Sequence, residues 1–569
     1  MKHLSTLRSL LRASLVALLT FAAPAFASAA ARIVVVPFDD PGEGFNDQTP
    51  ATPLGGNTGV TLGEQRLIAF QFAADRWGAM LDSNVTIYVL AAFDPLGANV
   101  LGQAGTASVF SDFTGAPGFP GSQFAATWYH GALADKRSGV DLDPGGADIV
   151  AQFSSQANWY LGLDANHGAQ TDLVAVVMHE LGHGLGFANF VSETTGANFA
   201  GQTDIYSQYT LDSTNGVVVS AMASDIERST SLAKVDKVVW SGQGVNAGVP
   251  YVLKFGRPEM NITAPTAIAD AYRIGSAAFG PALTSAPIAG SVVLANDGVG
   301  VGSDACTPLA NAAAVAGKIA LIDRGTCTFV VKAAVAQAAG AIAVIVANNA
   351  AADPPPGMAG ADPSITIPAI MISQSLGTAI KAQLASALAV DVTLGLDLSQ
   401  RAGADPLDRA QLFATNPAQP GSSISHYDSI AFSNQLMEPA INPDLTHEVI
   451  PPYDLTLPLM RDIGWFADAN LDGTPDSRFA YGSCSTRVPN TQLSNGAMLT
   501  DQARVWYRDC LASATNHGKF ESCVAHTTKA AVKAGLISGA QKGAIQKCAE
   551  EEEEDDEDDD RGHHGHGRN

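Results

Sequence analysis

The chain has 569 residues, of which 46% are hydrophobic, and it carries a formal net charge of −24. This length exceeds what one domain usually holds, so we expect two to four domains. Eleven of the negative charges form a single run at residues 550–560. The rest of the chain has no basic patch, which argues against nucleic-acid binding.

The first 29 residues have the pattern of a secretory signal peptide. Lys2, Arg8 and Arg12 precede an apolar core at residues 13–23, and small residues at 25–29 offer cleavage sites. That core is shorter than the roughly 18 apolar residues of a membrane-spanning helix, and no later stretch reaches that length. We therefore expect an exported protein without a membrane span, either secreted or periplasmic.

All cysteines lie in the second half of the chain. An even number of cysteines in an exported protein is typical of disulfides rather than metal ligands. Because none precedes residue 306, residues 30–262 contain no thiolate that would occupy a metal site. The six are Cys306, Cys327, Cys484, Cys510, Cys523 and Cys548.

Residues 30–262 alternate strand and helix patterns. Runs at residues 32–36, 85–89 and 147–153 predict strands, and Thr61 with Glu64 forms a capping box that opens a helix. This segment therefore predicts a sheet packed beside helices, the first part of an α+β domain. The apolar residues of the first helix predict one buried stripe: Leu67, Phe70, Ala74, Trp77 and Leu81.

The run His179-Glu180-Leu181-Gly182-His183 is the strongest chemical signal in the chain. It follows an apolar helical run that Thr171 or Asp172 is placed to cap. Histidines four residues apart share one helix face, so both can ligate one zinc ion, and the glutamate between them can activate a water. The alternative is a buried helix with two satisfied core histidines. The helix also contains Gly182 and Gly184, each of which costs about 1 kcal/mol of helix stability relative to alanine. Because a helix selected only for packing would not usually contain them, these glycines favour the metal site.

Residues 263–399 predict a separate α/β module. A buried strand ends near Asp323, a helix covers residues 328–339, and a further strand covers residues 341–346. The module shows no catalytic constellation. Cys306 and Cys327 flank its first strand, and we expect them to pair.

This module resembles the protease-associated (PA) domain. The resemblance rests on the pattern GKIALIDRG-x-C-x-F at residues 317–329 and on ITIPAIMIS at residues 365–373. It implies a non-catalytic lid or substrate-selecting module attached to a peptidase. The alternative is a spacer without a binding role.

A catalytic zinc ion needs a third protein ligand and an open position for water. Metzincin peptidases place that ligand in HExxHxxGxxH, and here Gly186 is present but Asn189 occupies the last position. Either the site is inactive or a ligand comes from farther along the chain. Glu193 and His167 are weaker candidates than a later histidine, His426.

The segments around His426 resemble the leishmanolysin family of metzincins. After the HExxHxxGF motif come a long insertion, a histidine at residues 425–428, a methionine at residues 434–439 and a closing helix at residues 455–465. The resemblance implies that His426 is the third zinc ligand and that Met437 lies beneath the zinc. Two departures are Tyr427-Asp428 in place of Trp-Glu and Gln435 in place of an acidic residue.

By this interpretation, a metzincin-like α+β peptidase domain at residues 30–262 and 400–466 is interrupted by the PA-like module. Residues 467–483 form either a calcium loop or a plain polar turn. Residues 484–549 predict a small helical region with two disulfides in one of three pairings. Residues 550–569 predict a disordered acidic and histidine-rich tail. The candidate calcium ligands are Asp468, Asn470, Asp472 and Asp476.

We therefore expect an exported zinc endopeptidase with one catalytic zinc ion, Glu180 as general base and protein or peptide substrates. The strand at residues 149–153 is our candidate for holding an extended substrate by strand addition. The first alternative is a catalytically silent exported binding protein that keeps both folds. The second is a metal-sequestering protein that acts through its tail.

Overall fold

The computed structural model describes residues 30–117, 119–300, 302–466, 478–482 and 484–560. The predicted signal peptide and the four candidate calcium ligands, at 468, 470, 472 and 476, lie outside these ranges. Among the helices in the described ranges, none combines the length and apolar character needed to cross a bilayer.

A four-stranded sheet organises the first part of the chain, in the order β1-β2-β6-β3. Three of its strands are parallel, and β3 lies antiparallel to β6 at one edge. The strands up to residue 240 are β1 (Ile33–Pro37), β2 (Ile87–Asp94), β3 (Gly102–Thr106), β4 (Val109–Phe110), β5 (Thr127–His130), β6 (Ile149–Ser154), β7 (Trp159–Tyr160), β8 (Thr171–Asp172), β9 (Thr203–Asp204), β10 (Thr210–Asp212), β11 (Val217–Val218) and β12 (Val238–Trp240). The helices of this part are α1 (Leu62–Met80), α2 (Gly131–Ser138), α3 (Leu173–Leu185), α4 (Asp225–Leu232) and α5 (Gln243–Val252).

Helix α1 begins with the predicted capping box, in which Thr61 and Glu64 bond each other's backbone N–H groups. Its buried face packs on α3, and the indole of Trp77 donates to the Met178 carbonyl oxygen at 2.9 Å. The predicted stripe is wrong at Leu67, which is 37% exposed. The buried sector extends instead through Ala69 and Ala73, so Leu67 lies at its border.

The inserted module is built on an eight-stranded mixed sheet. Parallel strands β16 to β19 carry helices, as predicted, and the antiparallel pair β13 and β20 joins the module to the rest of the chain. Separate apolar clusters cover the two faces of this sheet. Its strands are β13 (Phe255–Ala264), β14 (Ala271–Arg273), β15 (Gly275–Ser276), β16 (Ile288–Leu294), β17 (Ile319–Asp323), β18 (Ala343–Ala347), β19 (Ala369–Ile372) and β20 (Asp391–Arg401). Its helices are α6 (Ala312–Val315), α7 (Phe329–Ala338) and α8 (Gln374–Ala385). Cys306 and Cys327 form a disulfide.

Residues 402–466 return to the first part of the chain and share its hydrophobic core. Their one long regular element in the described structure is α9 (Thr456–Ile463). Asp462 accepts hydrogen bonds from Trp240 Nε1 and from the Gly244 and Val245 N–H groups, which caps α5. The Trp465 indole donates to the Leu185 carbonyl oxygen at 2.8 Å, at the end of α3. The closing segment therefore locks two helices of the first part in place.

The C-terminal region is a strand pair and three helices. Cys484 pairs with Cys548 and Cys510 with Cys523, one of the three pairings left open by the sequence. Its elements are β21 (Arg478–Tyr481), β22 (Cys484–Pro489), α10 (Leu499–Ser513), α11 (His517–Lys533) and α12 (Gly539–Asp560). Helix α12 continues through the acidic run to Asp560, where the sequence predicted a disordered tail. Extending an existing helix fixes one residue per added hydrogen bond, so elongation is easier than nucleation.

We expect a buried carboxyl pair beneath the sheet to make stability depend on pH. Burial, and after it the neighbouring Asp148 carboxylate, raise the pKa of Asp135 to about 7. Because this pKa is above its ordinary value, the associated stability is fully present below about pH 4 and is lost as the pH rises through about 7. Asp135→Asn keeps an acceptor for the Leu142 N–H. We subtract the urea midpoint of the wild type from that of Asp135→Asn. We expect this difference to be larger at about pH 8 than at about pH 5.

The matched control is Asp143→Asn, at an exposed carboxylate on the following loop. Its midpoint relative to wild type should be the same at both pH values. Both measurements use zinc-free protein in chelator. An Asp135→Asn difference that does not change with pH would contradict the assignment.

Candidate metal centre

Helix α3 carries the HExxH motif through the middle of the molecule. Asp172 is its N-cap and accepts from the Val174 N–H at 2.9 Å. The other Asp172 oxygen is 2.7 Å from His447 Nε2, which ties the start of the helix to residues 402–466. All thirteen residues of α3 are buried.

The two glycines of this helix are explained by close packing. A Cβ atom at Gly182 would lie 2.6 Å from Met437 Sδ, and one at Gly184 would lie 2.5 Å from a side-chain carbon of Ile149. Both distances are far below van der Waals contact. Glycine lowers the stability of the helix at these positions, but it allows Met437 on one side and β6 on the other to approach the helix backbone.

Three histidines meet at one point in the fold. His179 and His183 extend from α3, and His426 comes from a loop 247 positions after His179. His179 Nε2 lies 3.1 Å from His183 Nε2 and 3.3 Å from His426 Nε2. All three rings are buried, and their candidate ligand atoms lie within 4.8 Å of one another.

These distances fit a tetrahedral metal ion. Three nitrogens bound at 2.0–2.1 Å in tetrahedral directions are about 3.3 Å apart. The two distances from His179 Nε2 therefore match the spacing of ligands on a zinc ion. The structure brings together His179, His183 and His426 and leaves His167 apart, on carbonyl oxygens of Gln170 and Pro443.

Hydrogen bonds at Nδ1 set the tautomer of each ring. His179 Nδ1 is 2.8 Å from the Leu436 oxygen, His183 Nδ1 is 2.8 Å from the Phe187 oxygen, and His426 Nδ1 is 2.7 Å from the Ser422 oxygen. A carbonyl only accepts, so each Nδ1 carries the proton and each Nε2 presents a lone pair. Three lone pairs facing one another are the electronic arrangement of a cation site.

Burial keeps these rings neutral. It lowers the pKa of His179 to about 3 and that of His183 to about 4, and it lowers the pKa of His426 well below its ordinary value. Neutral imidazole is the form that binds metal.

Asn189 anchors the loop that carries His426. Its Oδ1 accepts from Ser425 Oγ at 2.6 Å, and Ser425 Oγ also accepts from the Asn189 N–H at 3.2 Å. The chain reaches this position through the turn at Gly186, whose φ is +136°. Asn189 thus binds the residue next to His426 and does not belong to the three-histidine group. Sequence reasoning missed this role, because only the pairing with Ser425 reveals it.

The segment around Met437 also helps to position the three histidines. Met437 is fully buried against Gly182, and the preceding Leu436 supplies the carbonyl oxygen for His179. Leu436 is itself held by Asp454, which accepts from its N–H at 2.6 Å. Gln435 accepts from the Leu455 N–H at 2.9 Å, so an amide serves where the sequence comparison expected an acid.

Glu180 lies at the floor of the cleft beside strand β3. Burial raises the pKa of Glu180 to about 8, while a hydrogen bond from the Ala104 N–H lowers it. A Cβ atom at Gly102 would lie 2.8 Å from both Cγ and Oε1 of Glu180. Strand β3 can therefore pass this close only because residue 102 is glycine.

The histidines and Glu180 open into one cleft of about 1110 Å³. Its walls are β3 with the preceding loop, the segment after α3 that includes Glu193, and the loops at residues 421–426 and 439–441. Glu193 lies on a wall of this cleft and does not belong to the three-histidine group.

The free edge beside the cleft belongs to β3. Strand β6 pairs with β2 on one side and β3 on the other, so our expectation that residues 149–153 hold substrate is wrong. The Leu101 oxygen accepts from the Ser154 N–H of β6, and the Ala107 N–H donates to the oxygen of Asp148, the residue before β6. The alternate residues Gly102 and Ala104 therefore direct their backbone polar groups away from β6. Among the described residues, no strand pairs with this edge.

Comparisons with protein families identify two parts of the chain. Residues 288–380 match the PA domain, so the chain contains a PA domain within the inserted module. Residues 143–209, which include α3, match a family described as SPBPB7E8-like. A comparison with curated proteins finds no match.

Solved structures with partial similarity include three peptidases. BSAP, a zinc aminopeptidase from Bacillus subtilis, shares 25% identity over 28% of this chain and 36% of its own, with a TM-score of 0.19. An aminopeptidase from Aneurinibacillus sp. strain AM-1 shares 16% identity over 34% of this chain and 42% of its own, with a TM-score of 0.20. A peptidase M28 precursor from Shewanella amazonensis shares 20% identity over 26% of this chain and 36% of its own, with a TM-score of 0.19. This chain thus spans less than half the length of each.

Proposed function

We propose that the protein is an exported, zinc-dependent endopeptidase of the metzincin type with a single catalytic zinc ion. The observation that carries this proposal is the convergence of three Nε2 lone pairs, 3.1 and 3.3 Å apart, beside Glu180 in one open cleft. The PA domain agrees with a peptidase, and the signal-like N-terminus agrees with export to the periplasm or the medium.

His179, His183 and His426 would hold the zinc ion. The chemistry that a zinc ion would supply there is a lower pKa for a coordinated water, toward 7, and polarisation of the scissile carbonyl group. The carbonyl oxygens of Leu436, Phe187 and Ser422 keep the three rings in the ligating tautomer.

Glu180 acts as the general base and then as the general acid. It takes a proton from the attacking water and delivers it to the amine that leaves when the peptide bond breaks. The Ala104 N–H holds the carboxylate, and Gly102 leaves it room to approach the cleft.

The free edge of β3 binds the substrate in an extended conformation. The Gly102 N–H and C=O groups and the Ala104 C=O group point away from β6 and add a substrate strand to the sheet. This contact uses only backbone atoms, so it fixes the direction of the peptide without selecting its sequence.

The first test concerns the metal. We expect the wild-type protein to bind one zinc ion per chain, and we expect His426→Ala to weaken zinc binding by at least about 100-fold because a ligand is lost. Zinc content is measured by mass spectrometry and affinity by competition with a chelator. His526→Ala is the matched control, because His526 is an exposed histidine of α11. Equal zinc affinity in wild type and His426→Ala would refute the site.

The second test concerns the reaction. We expect Glu180→Gln to retain zinc and to reduce kcat/KM on casein-derived peptides by about 10²–10⁴-fold, because the general base is lost. The control Glu43→Gln, at an exposed glutamate, should keep full activity. A wild-type protein that binds zinc but cleaves no peptide would instead support the silent binding protein.

A further inference from the structure

We propose that the inserted module is a structural part of the metal centre, with Arg273 positioning His426 through Asp428. This inference rests on the proposed zinc site. It assigns to Arg273, which lies outside the cleft, a role in metal binding that a simple spacer module would not have.

Arg273 ends strand β14 of the inserted module and reaches into the loop of the third histidine. Its Nη1 donates to Asp428 Oδ2 at 2.8 Å, and its Nη2 donates to Asp428 Oδ1. Two parallel bonds between a guanidinium and a carboxylate fix orientation as well as distance. The Asp428 side chain is completely buried, and it lies two residues after His426.

The same arginine also binds the first part of the chain. Arg273 Nη1 donates to Asp236, and Arg257 of β13 donates to the other Asp236 oxygen. We call Asp236, Arg257, Arg273 and Asp428 the ion cluster. It joins three segments: the chain before the insertion, the insertion, and the chain after it. Its two positive and two negative charges balance.

Asp428 transmits this restraint to His426 through a short, well-bonded loop. The Asp428 N–H donates to the Gln411 oxygen at 3.0 Å, and the Phe413 N–H donates to the His426 oxygen at 2.9 Å. Tyr427, between them, donates its N–H to the Met437 oxygen at 2.8 Å. A shift of the Asp428 carboxylate therefore moves the segment that carries the His426 ring, two residues earlier in the chain.

A second contact from the inserted module lies on the other side of His426. Asp353 and Asn416 exchange backbone hydrogen bonds of 3.0 and 2.7 Å. Asn416 precedes the loop whose Ser422 oxygen accepts from His426 Nδ1. The inserted module thus contacts the segment that carries His426 both before and after that residue.

Removing Arg273 would leave the buried Asp428 carboxylate without its cation. Such a charge is strongly unfavourable in a protein interior, so the loop must move to reach water or another partner. Either movement displaces His426 from the other two histidines while leaving α3 unchanged.

The experiment compares zinc affinity in Arg273→Ala, Arg273→Lys and Asp428→Asn, each in the full chain. We expect Arg273→Ala to weaken zinc binding by about 10–100-fold, and Arg273→Lys to give an intermediate loss because it keeps the charge without the fork. The visible spectrum of the cobalt-substituted protein should change as well, since it reports ligand geometry. The matched control is Lys381→Ala, which removes an ion pair with Asp323 inside the same module.

Thermal unfolding of the zinc-free proteins separates positioning from stability. If Arg273→Ala does not fold, Asp428→Asn keeps the size of the side chain and carries the test. Folded variants with wild-type zinc affinity and cobalt spectrum would overturn the inference. A wild-type protein that binds no zinc would overturn the zinc site too, and one that binds zinc without peptidase activity would overturn only the proposed reaction.

A separate observation in the cleft points to substrate selection. We infer that Glu193 selects substrates with a lysine or arginine side chain near the scissile bond, an inference that rests on the proposed peptidase function. Among the described residues that line the cleft there are two carboxylates, Glu180 and Glu193, and no lysine or arginine.

The surroundings of Glu193 disfavour its charged form. Burial raises the pKa of Glu193, its own backbone N–H lowers it by a hydrogen bond, and the Asp204 carboxylate raises it. Asp204 is already satisfied by the Phe190 and Ser207 N–H groups and by Ser207 Oγ. No lysine or arginine of the described chain acts on Glu193, so a substrate cation is the partner that would offset its desolvation.

N-acetylated peptides that carry lysine or norleucine at each position around one scissile bond test this inference. Acetylation removes the terminal amine as a competing cation, and mass spectrometry identifies the cleaved bond. We expect wild type to prefer lysine at one position by about 10-fold in kcat/KM, and Glu193→Gln to lose that preference. Glu193→Lys should favour glutamate there, and Glu43→Gln should behave as wild type.

An unchanged lysine preference in Glu193→Gln would overturn the inference, as would a wild-type enzyme that cleaves all peptides equally. A wild-type protein that cleaves none of them would overturn the peptidase function itself.

Discussion

Mutual repulsion among three imidazole lone pairs is the constraint on which the rest of this structure depends. His179 Nε2 lies 3.1 Å from His183 Nε2 and 3.3 Å from His426 Nε2, and the hydrogen bonds at Nδ1 place the proton of each ring on its other nitrogen. A cation bound between the three nitrogens would offset this repulsion, and a rigid frame holds the rings in place. The frame is supplied by three carbonyl oxygens, each from a different loop, that fix the Nδ1 proton of each ring.

That frame is assembled from segments that are far apart in the chain. Helix α3 contributes two rings, and residues 402–466 contribute the third ring, the methionine beneath it and the tryptophan that holds the end of the helix. The PA domain separates them in sequence but not in space, because β13 and β20 pair along most of their length and bring the two ends of the insertion together. The ion cluster then compensates the charges where the three segments meet.

Three positions at which this sequence differs from the metzincin and leishmanolysin patterns make defined contacts in the structure. Asn189 occupies the position of the last histidine in the HExxHxxGxxH pattern, and it binds Ser425, the residue before His426. Asp428 stands in place of a glutamate and is the anion of a buried pair with Arg273. Gln435 replaces an acid and still provides an acceptor to the backbone of residue 455.

The sequence by itself determined the features that depend on residues close together in the chain. The Thr61–Glu64 capping box, the Asp172 cap, the two histidines on one helix face and the strand–helix–strand core of the PA domain all depend on residues a few positions apart. The tertiary structure decided what depends on distant partners. Strand β3, with the glycine-rich sequence GQAGT, has no strand signal, and its position beside Glu180 follows only from pairing with β6, some 47 positions later. The charges of Arg273 and Asp428 likewise become a pair only when the insertion folds back, because a buried ion pair is specified by three-dimensional proximity and leaves no periodic trace in the chain.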